Sequence, residues 1–244
     1  MCENCRPGSL NSFAPTRRAA LLFAASGIGL SLANAAAAKD TKKPPKPDNV
    51  VSPEAALERL KEGNERYVEG VARRHDFRHE REALAGGQNP YAAILSCADS
   101  RIAPEYAFDS GRGDLFVCRV AGNFANDDTI ASLEYAVAVL GTPLILVLGH
   151  DACGAVDAAI KSLKDNSTLP GHLPSLVTAL APAVKASSGQ GGDALANAIR
   201  QNVIDNVAKL KSTAPILNAG VEQKKLKVVG GIYRLKSGEI DLVA

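Results

Sequence analysis

Two clusters of side chains, far apart in the chain, carry groups that bind transition metals. The first contains Cys97, and the second contains His150 and Cys153. Cysteine thiolate and neutral imidazole are preferred zinc ligands, and a set of two cysteines and one histidine leaves one tetrahedral position open. Because an open position is typical of catalytic zinc, these residues predict a catalytic site with one zinc ion per chain.

Each ligand candidate also has an interpretation without a metal. A single cysteine at the end of a strand is usually a small core residue, and a histidine shortly before a cysteine is weak evidence by itself. A redox-active pair is less well supported, because the only Cys-x-x-Cys spacing joins Cys2 and Cys5 near the N-terminus. The zinc hypothesis is preferred because each cluster directly follows a wholly apolar run.

Those apolar runs indicate buried strands, and segments with helical spacing of apolar residues alternate with them. This alternation predicts an α/β fold with a mostly parallel β-sheet flanked by helices. Sites in such sheets form at the carboxyl ends of strands, so Cys97 and His150 are expected to lie close together. The predicted strands cover residues 91–96, 114–120, 144–148, 225–233 and 239–243, and helices are predicted over residues 130–140, 154–163 and 195–210.

The first strand is preceded by a predicted N-terminal helical arm. Residues 52–54 (Ser-Pro-Glu) provide a capping hydroxyl, a proline in the first turn and an acid near the positive helix end. Gly70 is expected to end this helix. Its apolar stripe is formed by Leu57, Leu60, Tyr67 and Val71.

Composition excludes several classes of protein. The 244 residues are 46% hydrophobic and 22% charged, as in globular proteins, which argues against a disordered chain or a polytopic membrane protein. The formal net charge is only +2, aromatic residues are 5% and tryptophan is absent. The chain therefore has neither the basic excess nor the stacking residues of a nucleic-acid-binding protein.

The N-terminal residues resemble an export signal. Residues 19–32 are apolar and uncharged but shorter than the ~20 residues that span a bilayer. Arg17 and Arg18 directly precede them, and alanines up to Ala38 offer cleavage sites. This pattern predicts a twin-arginine signal peptide over 1–38, a flexible Lys- and Pro-rich linker over 39–51, and one domain over 52–244. The mature protein is expected in the periplasm without stable membrane association. An ordinary secretory signal and an uncleaved anchor are the alternatives.

The segments 96–101 (SCADSR) and 150–156 (HDACGAV) together resemble the β-class carbonic anhydrases. The segments 113–117, 119–123 and 132–136 agree with the same family, and the resemblance extends from about Ser52 to the C-terminus. Asp151 departs from the family, which often has a small hydroxyl residue there. The resemblance implies a β-carbonic anhydrase fold for residues 52–244.

The resemblance also implies a role for each site residue. Cys97, His150 and Cys153 are expected to bind zinc, and a zinc-bound hydroxide would hydrate carbon dioxide reversibly to bicarbonate and a proton. Asp99 is expected to orient the hydroxide, and Arg101 to hold Asp99 in a charge-assisted pair. In a closed, inactive state Asp99 would itself be the fourth zinc ligand. The alternative for Asp99 and Arg101 is a structural ion pair.

A substrate pocket and an assembly are implied as well. Gln88 is expected to donate to a substrate oxygen, and Phe116 and Tyr135 match apolar and aromatic pocket positions. Core packing is the alternative for both rings. The family forms homodimers or larger homo-oligomers, with the N-terminal helix reaching over a neighbour and the pocket at the dimer interface.

Two other functions remain open at this point. The same fold could serve as a bicarbonate-binding module with little turnover, or as a zinc hydrolase of another small linear substrate such as carbon disulfide. His75 and His79, among arginines, are expected on a solvated charged face, with proton transfer as the alternative. Cys118 is expected to be a buried apolar thiol.

Overall fold

The computed structural model describes residues 45–244, which form a five-stranded sheet covered by helices on both faces. The strands are β1 (Ala92–Ser96), β2 (Leu115–Arg119), β3 (Leu144–His150), β4 (Lys227–Tyr233) and β5 (Ile240–Leu242). They are ordered β2-β1-β3-β4-β5, and only β5 is antiparallel to its neighbour. The predicted α/β fold with a mostly parallel sheet is confirmed.

In the described part of the chain, eight α-helices accompany the sheet. They are α1 (Pro53–Val68), α2 (Phe77–Leu84), α3 (Pro104–Ala107), α4 (Asp127–Ala138), α5 (Gly154–Lys164), α6 (Leu173–Ala186), α7 (Ala194–Ser212) and α8 (Ile216–Glu222). The sequence pattern did not predict α2, which buries none of its residues and so has no apolar stripe. It also did not predict α6, because Pro182 inside this helix removes a backbone donor and normally argues against a helix.

The core lies on both faces of the sheet, and all seven residues of β3 are buried. Leu95, Ile145 and Val147 face one cluster, which residues of helices α4 to α8 complete. Ile94 and Leu146 face the other cluster, which α1 and α3 cover. Burial on both faces explains why the central strands are continuously apolar.

Helix α1 begins as the sequence predicts, since the Ser52 hydroxyl accepts a hydrogen bond from the Ala55 N–H at 3.2 Å. Its buried face differs from the predicted stripe. Tyr67 is 36% exposed, and Val71, which lies beyond the helix, is 54% exposed. Gly63 is buried instead. It lies so close to the backbone of Phe108 that any side chain there would collide with it.

Residues 45–51, the part of the predicted 39–51 linker that the structure describes, pack on the domain and do not form the expected flexible segment. Pro47–Asn49 form a 3₁₀ turn, and Asn49 is buried. The Asn49 amide donates to the carbonyl oxygen of Asn89 at 2.8 Å, and Lys46 pairs with the carboxylate of Asp114 at 2.7 Å. Asp114 is itself buried and needs these partners, which fixes the segment.

The predicted signal peptide over 1–38 and the first part of the linker lie outside the described residues. Within residues 45–244, every helix is too short or too polar to cross a bilayer.

Candidate metal centre

The three predicted ligands meet at the carboxyl ends of two neighbouring strands. Cys97 directly follows β1, His150 is the last residue of β3, and Cys153 is the N-cap of α5. Because β1 and β3 pair in parallel, their ends lie at the same edge of the sheet. The ligand atoms of the three residues lie within 4.8 Å of one another, and all three residues are buried.

The ring of His150 is oriented by its own turn. Its Nδ1 lies 2.9 Å from the carbonyl oxygen of Asp151, an acceptor, so Nδ1 carries the proton and donates it. The other nitrogen, Nε2, is buried and has no hydrogen-bond partner among the described residues. A buried nitrogen lone pair without a partner is unfavourable in a folded protein unless a cation occupies the space beside it.

The pKa values of the two cysteine thiols are shifted in opposite directions. A hydrogen bond from the Cys153 thiol lowers the pKa of Cys97, and the N–H of Gly122 acts in the same direction. The hydrogen bond with Cys97, together with burial, raises the pKa of Cys153. Binding of a cation displaces the remaining thiol proton, because metal-bound cysteine is a thiolate. Two thiolates and one imidazole fit a zinc ion.

Asp99 and Arg101 form the predicted pair beside these ligands. The guanidinium donates from Nε to Oδ1 at 2.9 Å and from Nη2 to Oδ2 at 2.7 Å. These bonds hold the pKa of Asp99 well below its usual range. Asp99 Oδ2 lies 3.9 Å from His150 Nε2, so the carboxylate borders the metal-facing side of the centre while Arg101 holds it.

Arg119 is a site residue that sequence reasoning missed. Its Nε donates to the carbonyl oxygen of Cys97 at 3.0 Å, and its Nη2 donates to the carbonyl oxygen of Asp99 at 2.7 Å. The residue ends β2 and is the register partner of Ser96. The one available signal was a charged residue at the end of an otherwise apolar strand.

Asp151, the departure from the family pattern, connects the centre to the end of β4 and the turn that follows it. Its carboxylate accepts a hydrogen bond from the Leu235 N–H at 3.0 Å, and its own N–H donates to the carbonyl oxygen of Tyr233 at 3.1 Å. These contacts hold the backbone of Asp151, whose carbonyl oxygen orients the ring of His150.

Two of the three predicted substrate residues contact each other in the described chain. Gln88 is exposed in the loop between α2 and β1 and makes no hydrogen bond within residues 45–244. The rings of Phe116 and Tyr135 contact each other, with centroids 6.3 Å apart. Phe116 packs against the core cluster that contains Cys97, whereas Tyr135 is 47% exposed.

The remaining candidates have local partners. The ring of His75 lies 3.3 Å from Glu80 and that of His79 lies 2.6 Å from Asp76, which caps α2. Cys118 is half-buried, and burial raises the pKa of its thiol.

Comparisons with known proteins place this centre in a family. The family model described as "Carbonic anhydrase" matches residues 92–240. Carbonic anhydrase 2 of Mycobacterium tuberculosis is 40% identical over 188 residues, which cover 77% of this chain and 91% of that protein.

Two solved structures have the same fold. A tetrameric β-carbonic anhydrase of Sordaria macrospora is similar with a TM-score of 0.61 and 26% identity, over 70% of this chain and 88% of that one. The β-carbonic anhydrase CcaA is similar with a TM-score of 0.58 and 29% identity, over 78% and 98%. Because the family model spans both strand ends that carry the metal ligands, and these structural neighbours are β-class enzymes, the chain belongs to the β-class carbonic anhydrase family.

Proposed function

We propose that the protein catalyses the reversible hydration of carbon dioxide to bicarbonate and a proton, with one zinc ion held by Cys97, His150 and Cys153. The observation that carries this proposal is the Nε2 of His150, which is buried beside two cysteine sulfurs and has no hydrogen-bond partner among residues 45–244. With the Asp99–Arg101 pair next to it, the centre has a ligand set with an open position and an oriented acceptor.

The residues around the centre have distinct tasks in this reaction. Bound zinc supplies a nucleophile at neutral pH, because it lowers the pKa of coordinated water to about 7. Asp99 accepts a hydrogen bond from the attacking oxygen and directs a lone pair of that oxygen toward carbon dioxide. The Asp99 carboxylate is ionised at neutral pH and acts only as an acceptor. Arg101 lowers its pKa further and holds its position.

We further propose that Gln88, Phe116 and Tyr135 line the substrate pocket and that this pocket is completed at an interface with a second copy of the chain. Strand β2 is one edge of the sheet, and within residues 45–244 no strand pairs with its outer side. Tyr135 on neighbouring α4 and Val139 at the end of this helix are exposed by 47% and 63%. An unpaired strand beside exposed apolar side chains favours association, and the Sordaria relatives are described as tetrameric.

Sedimentation of the mature chain tests this assembly. A dimer or larger oligomer is expected, and Val139→Glu should weaken both association and turnover. A monomer that turns over at the full rate would contradict a shared pocket.

The location of the enzyme is also a proposal. Residues 1–38 would direct the folded precursor to the periplasm and then be removed. The support is the arginine pair before a short apolar segment, together with the site's chemistry. An unfolded chain in an oxidising compartment would expose Cys97 and Cys153 to disulfide formation, which would destroy the ligand set.

The decisive experiment measures carbon dioxide hydration by stopped flow against pH, with zinc content determined on the same sample. Hydration is expected to increase with zinc content toward one ion per chain. Carbon disulfide hydrolysis and bicarbonate binding are measured in parallel. Bicarbonate binding without turnover would identify a binding module, and turnover of carbon disulfide alone would identify a related hydrolase.

A further inference from the structure

Helix α7 carries two buried amides on the face that packs against the sheet. Asn202 is 2% exposed and Asn206 is 7% exposed, one helical turn apart among apolar residues such as Val203. A buried amide that lacks hydrogen-bond partners is costly, so each needs specific acceptors and donors. The hydrogen-bond partners of these amides therefore show which segment the amides hold in place.

Both amides bind the loop between β2 and α4. The Asn202 side chain donates to the carbonyl oxygen of Gly122 at 2.9 Å. The Asn206 side chain accepts from the N–H of Ala125 at 2.7 Å and donates to the Asn202 side-chain oxygen at 3.0 Å. The second amide therefore fixes the first in the orientation that points its donor at Gly122.

Gly122 in turn contacts a metal ligand. Its N–H donates to the sulfur of Cys97 at 3.3 Å. Its φ is +87°, a conformation that favours glycine, and a side chain there would come within 2.9 Å of Leu180. The position of this N–H is not set by Gly122 itself, because glycine restricts its own backbone least.

We infer that Asn202 is a positioning residue for the metal centre, acting through Gly122 on the sulfur of Cys97. With its carbonyl held by Asn202, Gly122 keeps its N–H directed at the sulfur. This hydrogen bond withdraws charge from the thiolate and fixes its orientation toward the cation. Partners of metal ligands of this kind typically affect metal affinity by about 10- to 100-fold. The inference rests on the zinc site proposed above.

The test uses Asn202→Asp, which keeps the side-chain volume and removes the donor to Gly122. Zinc affinity is measured by competition with a chelator, and the thiolate-to-metal absorption band is recorded after cobalt substitution. Zinc binding should weaken about tenfold or more. The cobalt band should move to longer wavelength, because a thiolate that has lost a donor gives up electron density more easily.

Asn64→Asp is the matched control. Asn64 is also a buried amide that joins distant segments, donating to the carbonyl oxygens of Ala107 and Gly238, but it belongs to α1, which covers the other face of the sheet. This variant should lose stability and keep wild-type zinc affinity and cobalt spectrum.

The outcomes separate the possibilities. Wild-type affinity and spectrum in Asn202→Asp, or equal losses in both variants, would overturn the inference. If Asn202→Asp does not fold, Asn206→Ala is measured instead. A smaller shift of the same sign supports the inference, and unchanged values overturn it. Zinc binding by the wild-type protein, measured in the same titration, tests the zinc site separately.

Discussion

Arg119 donates a hydrogen bond of 2.7 Å to the backbone carbonyl oxygen of Asp99. A second bond of 3.0 Å reaches the carbonyl oxygen of Cys97, so one guanidinium holds the backbone of a predicted metal ligand and of the proposed hydrogen-bond acceptor. The two carbonyl groups are spaced to match the fork of an arginine side chain, which lysine cannot reproduce.

Arg119→Lys should therefore lower kcat/KM about tenfold while most of the zinc is retained. Tenfold is the lower end of the loss in activity that follows removal of a hydrogen-bond partner around a metal site. Stopped-flow hydration and zinc analysis of the same preparation check this. The control is Arg200→Lys, at an exposed arginine of α7, which should behave like the wild type. An unchanged kcat/KM in Arg119→Lys would show that the two carbonyl contacts are dispensable.

Cys97→Ser, His150→Ala and Cys153→Ser should each remove most of the bound zinc and abolish hydration. Each variant loses one of three protein ligands, and metal affinity depends on the complete set. Cys118→Ser is the control, because its half-buried thiol lies outside the ligand group and should retain zinc and activity. Full zinc occupancy in Cys153→Ser would refute the ligand assignment.

Arg101→Ala should reduce turnover about tenfold or more and affect zinc content much less. The pKa of Asp99 would rise toward its ordinary value of about 3.9, so the carboxylate stays ionised at neutral pH. The loss therefore comes from position, since an unheld Asp99 is free to coordinate the metal. A changed coordination spectrum of the cobalt-substituted variant is the expected signature; an unchanged rate and spectrum would contradict it.

The Tyr67–Tyr233 pair predicts a loss of stability at alkaline pH. Their hydroxyls are 2.9 Å apart, and burial, reinforced by this contact, raises the pKa of Tyr233 to about 12. A tyrosine in the unfolded chain ionises near pH 10. The contribution of protonated Tyr233 to the free energy of unfolding is therefore complete below about pH 10 and is lost as pH rises toward 12. Urea unfolding at several pH values should show the decline.

Tyr233→Phe should remove this part of the pH dependence. Tyr106→Phe, at a tyrosine that is 75% exposed, should leave the slope as in the wild type. Identical slopes for wild type and Tyr233→Phe would be inconsistent with this role of the pair.

Replacing both Arg17 and Arg18 by lysine should block export and leave active, zinc-loaded precursor in the cytoplasm. Cell fractionation with an activity assay measures this directly. The single variant Arg6→Lys, outside the arginine pair, serves as the control and should be exported. Normal periplasmic accumulation of the double variant would instead indicate export of the unfolded chain, with zinc acquired afterwards.

The ligand set was predictable because each cluster of polar residues follows an apolar strand, and parallel strands end at one edge. Arg119 and Asn202 were not predictable in the same way. Arg119 reaches Cys97 only through the β1–β2 register, in which it lies opposite Ser96. Asn202 lies on an apolar helical face, and a sequence pattern cannot show which loop that face covers.

Helix α1 shows the same limit within a single element. Its start was predictable from Ser52 and Pro53, which act locally. Its buried face was not, because close contact with the backbone of Phe108 selects Gly63, and glycine contributes nothing to an apolar stripe. The roles of Gln88, Phe116 and Tyr135 stay predictions that depend on a second copy of the chain.

The distribution of the ligands over two strands has a consequence for folding. His150 and Cys153 share one turn, but Cys97 follows β1, and the chain forms β2 and α4 before it reaches β3. The complete ligand set therefore exists only after a non-local parallel pairing, a type of contact that forms slowly. Since zinc then binds the native state far better than the unfolded chain, it stabilises by mass action. The ion is thus expected to slow unfolding of the sheet while leaving the rate at which the sheet forms nearly unchanged.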